Sequence, residues 1–365
     1  MIDFRYHLVS IVAVFLALAI GIVLGAAELQ GPTYNILNHT TAKLQNEYDQ
    51  TRGQLATAQA QANEGEAYAQ AVEPAVLRDL LTGQRLLIIT EPGAQSSVVS
   101  GIAAAAADAG ASVTGQIALQ PEFFATSSTT QDSLNQTNLD VAQSAGISLA
   151  NSGSYQQQTV QVIASEILVK SPKSAAGQSG SSQPDSLQPS VSPSASADQS
   201  SNAQTMLAAY ASSGFLNTTG QPAIQASLAV VVTPQNVPSD GTADPLAQVL
   251  PPLVAELAAT SSATVVAGSS AGSGAGSPMT VLRSNNVANQ VSTVDDADLA
   301  SGQSVVMQAL AILLAGGKAG SYGFAVNGAS AVAPTSAPTP SASASASASV
   351  SPTPTSTSSS KKAKK

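Results

Sequence analysis

Residues 8–27 read LVSIVAVFLALAIGIVLGAA, twenty residues without a charge and apolar on every face. At about 1.5 Å per residue such a helix is roughly 30 Å long, the thickness of a bilayer's hydrocarbon. A soluble core helix rarely stays apolar all round, so the pattern predicts a membrane-spanning helix. A cleaved signal peptide competes, because Gly25 and Ala27 fit a small-x-small cleavage pattern before Glu28. The run, however, exceeds the roughly 7–15 residues of a typical h-region, and the segment before it carries a single Arg, Arg5. Both points favour retention as an anchor. Glu28 follows the helix, and the next basic residue is Lys43. That asymmetry predicts residues 1–7 inside and the bulk of the chain outside. Gly21 and Gly25 form a G-x-x-x-G pair that would let two such helices approach closely.

Over residues 34–76 the period changes to a heptad. Tyr34, Thr41, Tyr48, Leu55, Ala62, Ala69 and Val76 form one series, and Leu37, Leu44, Thr51, Ala58, Gly65 and Val72 the other. The alternating spacing of three and four over about six heptads predicts a coiled-coil stalk and a homo-oligomer formed through it and the transmembrane helix. Gly53 and Gly65 each cost about 1 kcal/mol relative to Ala, and the seam is poor in Leu and Ile. A lone amphipathic helix packed on the downstream domain is the alternative.

Beyond Pro74 the pattern becomes that of an α/β domain. Residues 85–90 (RLLIIT) read as a buried strand closed by Glu91-Pro92-Gly93, residues 96–108 as an Ala-rich helix, and residues 111–119 as a second strand. Further strands are expected at 226–233 (ASLAVVVT), 264–268 (TVVAG) and, shorter, 280–283. Helices are expected at 244–260, interrupted by Pro251-Pro252, and at 301–315, ended by Gly316-Gly317. Strands apolar on both faces and alternating with helices predict a mostly parallel sheet covered on both sides, hence a three-layer α/β domain over residues 78–330. Residues 171–203, rich in Ser, Gln, Pro, Ala and Gly, cannot bury enough apolar area to fold. They read as a disordered insertion, and residues 331–365 as a disordered Ser/Ala/Pro tail ending in Lys361-Lys362-Ala363-Lys364-Lys365. That basic end would suit an anionic cell-wall polymer as partner, or act only as a solubilising tail.

Composition narrows the chemistry. The chain of 365 residues has no Cys, no Trp, two His and a formal net charge of −9. Disulfides, thiol nucleophiles and thiolate metal sites are excluded, and the acidic balance argues against nucleic acid. His7 precedes the anchor and His39 lies in the stalk, so the domain cannot assemble a Ser–His–Asp triad or a His-based metal site. Only carboxylates remain: Glu91, Asp108, Glu122, Asp295, Asp296 and Asp298. Glu91 ends the first strand, where open α/β sheets place ligands, and otherwise reads as a turn residue. Asp295-Asp296-Ala297-Asp298 could hold a hard cation, or cap the helix after it. The run from Gly272 to Gly276 lacks the Lys-Ser/Thr of a P-loop and leads to Pro278, so it reads as a flexible loop. Catalytic, cofactor-binding and metal-ligating residues are therefore assigned to none, no cofactor is expected, and the chain is not read as an enzyme.

The opening MIDFRYHLVSIVAVFLALAIGIVLGAA, followed by a heptad stalk and the strand RLLIIT, resembles the actinobacterial MctB family, named for mycobacterial copper transport protein B. The segment from Phe4 through Ala26 carries most of that resemblance. It implies a cell-envelope protein of copper efflux or homeostasis, described for the founding member as an outer-membrane channel. The residues add two expectations. The domain lacks the ten-residue alternating strands of a membrane barrel. Copper favours thiolate, thioether and imidazole, and the domain offers only Met206, Met279 and Met307, so copper would be handled indirectly, through oligomeric pore formation or envelope organisation. The alternative is a non-catalytic structural or scaffolding envelope protein with an α/β interaction module, and membrane lipid is a partner under either reading.

Overall fold

The computed structural model describes residues 4–149, 153–170, 193–235, 245–272 and 276–323. One helix, α1 (Phe4–Leu77), carries both the apolar run and the heptad segment without interruption. At about 1.5 Å per residue it is roughly 110 Å long. Its stretch Tyr6–Gly25 is long and apolar enough to cross a membrane, and none of that stretch is buried. Pro74 does not end the helix. α1 continues one turn further and stops where Asp79 adopts a left-handed conformation (φ 64°).

The domain that follows is built on β1 (Arg85–Thr90), β2 (Ser112–Leu119), β3 (Leu216–Gly220), β4 (Leu228–Val232), β5 (Ala263–Ala267), β6 (Ser292–Val294) and β7 (Ser321–Tyr322). Among the described residues they form one sheet in the order β3-β2-β1-β4-β5-β6-β7. All neighbours are parallel except β2 and β3. The order runs outward from β1 one way and from β4 the other, as in doubly wound sheets, with the switch point between those two strands.

Helices cover both faces. α2 (Ser96–Asp108), α8 (Ala300–Leu314) and the last turns of α1 enclose one core, which includes Leu77, Ile88, Ile102, Val230, Val265 and Leu310. α4 (Tyr155–Ile167) and α6 (Pro245–Thr260) enclose the other, with α3 (Ser128–Ala145) and α5 (Pro193–Ser212) packed outside. Residues alternate between the two cores along β1: Leu86 and Ile88 enter one, Leu87 and Ile89 the other. The domain is thus three-layered.

Three expectations change. Residues 280–283 are not a strand but most of α7 (Pro278–Arg283). Ser277 caps it by accepting from the Thr280 amide, Pro278 suits the first helical position, and Met279 and Leu282 are buried one turn apart. An apolar run this short fits either period. The low-complexity stretch is narrower than expected, since Pro193 opens α5 and Ala203, Met206, Leu207 and Tyr210 bury one face of it. The remainder of that stretch from 171 to 192, the tail from 324 onward and residues 273–275 of the Gly-rich run lie outside the described residues. The third change concerns the acidic run before α8. Its N-cap is Leu299, without a side-chain cap, so none of the three Asp residues performs that role.

Candidate functional site

The switch point is where a doubly wound sheet would open a crevice. Here it is filled. The loops after β1 and β4 meet directly: a Cβ on Gly93 (φ 86°) would stand 3.3 Å from Pro234 Cβ, and Gln95 Nε2 donates to Gln235 Oε1. Gly272, from the loop after β5, packs its backbone against the Pro234 carbonyl. Glu91 is buried at the end of β1, its amide donating to the Val232 carbonyl at 3.0 Å. Its side chain lines a cavity of about 20 Å³ with Ile89, Val231, Leu250 and Leu253, room for about one water and far below the several hundred Å³ of a ligand pocket. A shallower groove of about 460 Å³ lies between α5 and the loop after β3, along Gln204, Leu207, Gln221 and Pro222. No titratable side chain lines it.

The charged chemistry gathers instead at the carboxyl end of β6. Arg283, projecting from α7, donates from Nε to Thr293 Oγ1 at 2.8 Å, from one terminal nitrogen to Asp295 Oδ2 at 2.6 Å, and from the other to the Tyr322 carbonyl at 2.9 Å. Asp295 is fully buried, and the three Arg283 contacts together tie α7 to β6 and β7. Arg283 thus already occupies the carboxylate that a hard cation would need. Asp296 differs. It is 2% exposed, and its Oδ1 accepts no hydrogen bond among the described residues. Burial first, then the neighbouring Asp295 charge, pushes its carboxyl up to about 6. Asp298, Asp108 and Glu122 are exposed. The carboxylates therefore do not converge. Among the described residues no three His, Asp or Glu side chains are placed to hold a metal.

The methionines do not converge either. Met206 and Met279 belong to one core and Met307 to the other, across the sheet. All three are buried as packing residues, and no single ion could reach thioethers on both sides. The described residues do not fit a resident copper ion.

The polar contacts that the sequence concealed join α1 to the domain. A Glu66 carboxylate oxygen accepts from the Ala300 amide at the start of α8, and Ser304 Oγ donates to Glu73 Oε1 at 3.1 Å. Glu66 thus takes up one of the orphan amides that Leu299 leaves uncapped. The Glu73 carboxyl is held above the usual range, mainly by burial and further by Asp108 and Glu66, against the Ser304 hydrogen bond. No local pattern could reveal a contact between residues 234 positions apart.

Residues 1–334 match the family model described as copper transport outer membrane protein, MctB. The copper transporter MctB of Mycobacterium tuberculosis (strain ATCC 25618 / H37Rv) is 26% identical over 329 residues, covering 88% of this chain and 96% of that protein. The copper transporter MctB of Mycobacterium bovis (strain ATCC BAA-935 / AF2122/97) matches with the same identity and coverage.

Proposed function

The chain belongs to the MctB family, and from that premise we propose that it is a membrane-anchored envelope protein of copper efflux, acting as one component of a multi-copy assembly. The observation that carries this reading is the match across residues 1–334, which takes in the apolar helix, the heptad segment and the sheet domain together. The span Tyr6–Gly25 serves as an uncleaved anchor, with Arg5 on the inner side and the α/β domain outside. Copper is cargo rather than a resident ion in this scheme, since the domain gathers no soft ligands. One helix cannot enclose a pore, so any conduit requires several chains.

The test is a deletion strain. Cellular copper rises and growth in added copper falls, and the full-length chain restores both. Unchanged copper content and unchanged sensitivity would sink the copper reading. The filled switch point favours one second reading, a scaffold whose domain binds other envelope components without chemistry of its own. Under that reading the same strain shows an altered envelope at normal copper content.

A further inference from the structure

From residue 39 to residue 65 every residue of α1 is exposed, about seven turns of helix. Helices in proteins draw most of their stability from packing an apolar face, and this one carries such a face uncovered. Leu44, Tyr48 and Leu55 are 60–66% exposed, and with Thr51, Ala58 and Ala62 they lie on a single stripe of period 3.5. We propose that this stripe is covered by the same stripe of a second copy of the chain, in a parallel, in-register coiled coil over residues 41–62.

Period and charge both select that occupant. A 3.5-residue repeat keeps a seam in contact only with another helix of the same repeat. With Tyr48 and Leu55 at the first heptad position, Glu47 precedes the seam and Arg52 follows it, five residues apart. That is the spacing at which a parallel, in-register pair sets the carboxylate of one helix against the guanidinium of the other, twice by symmetry. Arg52 has no ion pair among the described residues, and Glu47 reaches only the exposed Lys43 at 3.8 Å. Anchoring in one bilayer makes two copies parallel and raises their effective concentration. The structure also bounds the seam. From Glu66 onward one face of the same helix turns to the domain, with Ala69 and Val72 half-buried and Leu77 buried. Carried back along the helix, the stripe passes opposite Gly21 and Gly25, so the glycine pair is not part of this surface.

The inference rests on α1 being an anchored helix and not on the copper reading, and its test measures proximity alone. Because the chain has no Cys, single substitutions report without background in the full-length protein in membranes. Thr51→Cys and Ala58→Cys place thiols on the seam, where Cα atoms of paired helices fall within disulfide reach. Ala60→Cys places them on the outer face, beyond it. The expected result is an oxidised dimer for the two seam variants and background for the third. Glu47→Arg lowers the Thr51→Cys yield several-fold, and adding Arg52→Glu restores it. Equal yields at all three positions, background at all three, or seam crosslinks indifferent to the charge reversal each overturn the proposal.

Discussion

Asp296 shows how a residue can be visible in a sequence while its state is not. The run Asp295-Asp296-Ala297-Asp298 announces carboxylates at a strand end, but three neighbours meet three environments: an arginine clamp, the buried interior and solvent. Burial of a carboxylate favours its neutral form. With the carboxyl raised from the ordinary range to about 6, the folded state binds the proton more tightly than the unfolded one. Its contribution to stability is complete below about pH 4 and is lost as the pH rises through about 6. Asp296→Asn is therefore expected to stabilise the protein at pH 7.5, by about 1–2 kcal/mol once the new amide's own burial is allowed for. At pH 4 it should make no difference. Urea unfolding at the two pH values checks this, and equal effects at both would refute it. Asp295 resembles Asp296 in sequence, and what separates them is Arg283, twelve residues upstream. That arginine was legible only as the end of an apparent strand, because its partners come from β6, the residue just after it, and β7.

Elements were legible where their burial is one-sided or complete. The run RLLIIT is β1 to the residue, and the Ala-rich helix over 96–108 is α2. α3 gave no such signal because its contact with the core is partly polar. Asn138, fully buried, donates to the Tyr155 carbonyl at 2.9 Å and accepts from Thr159 Oγ1 and Tyr210 Oη at 2.8 and 2.7 Å, tying α3, α4 and α5 together. β6 was missed because three residues are too few to show a period, and its middle residue, Thr293, is a polar side chain that serves Arg283. The junction of α1 with α8 belongs to the same scale. If Glu66 caps α8, Glu66→Ala lowers unfolding stability by about 1 kcal/mol. Adding Leu299→Ser supplies a local cap and recovers most of the loss. Hydrogen exchange at the first amides of α8 should follow the same order. An unaltered exchange rate in Glu66→Ala would mean that the carboxylate does not serve as the cap.

At the scale of the whole chain, the long helix does more than set a distance. α1 joins the apolar run to the sheet as one continuous element, and its last turns are fixed to the domain through Glu66, Glu73 and Leu77. The angular position of the domain about the helix axis is therefore locked to the stripe on the exposed turns. The heptad was legible in the sequence, but this locking was not, because it depends on where α8 lies. It separates two ways in which the protein could work. Removing residues 55–61 shortens the helix by about 10 Å and rotates the domain by only about 20° relative to the turns above. Removing residues 55–59 shortens it by about 7.5 Å but rotates the domain by about 140°. If function depends on how paired copies present their domains to each other, the seven-residue deletion keeps copper tolerance in a complemented deletion strain and the five-residue deletion loses it. A stalk that served only as a spacer would give the opposite ranking, with the larger shortening the more harmful. Thr51→Cys crosslinking in both deletions, read beside the tolerance, reports whether the turns above the cut pair.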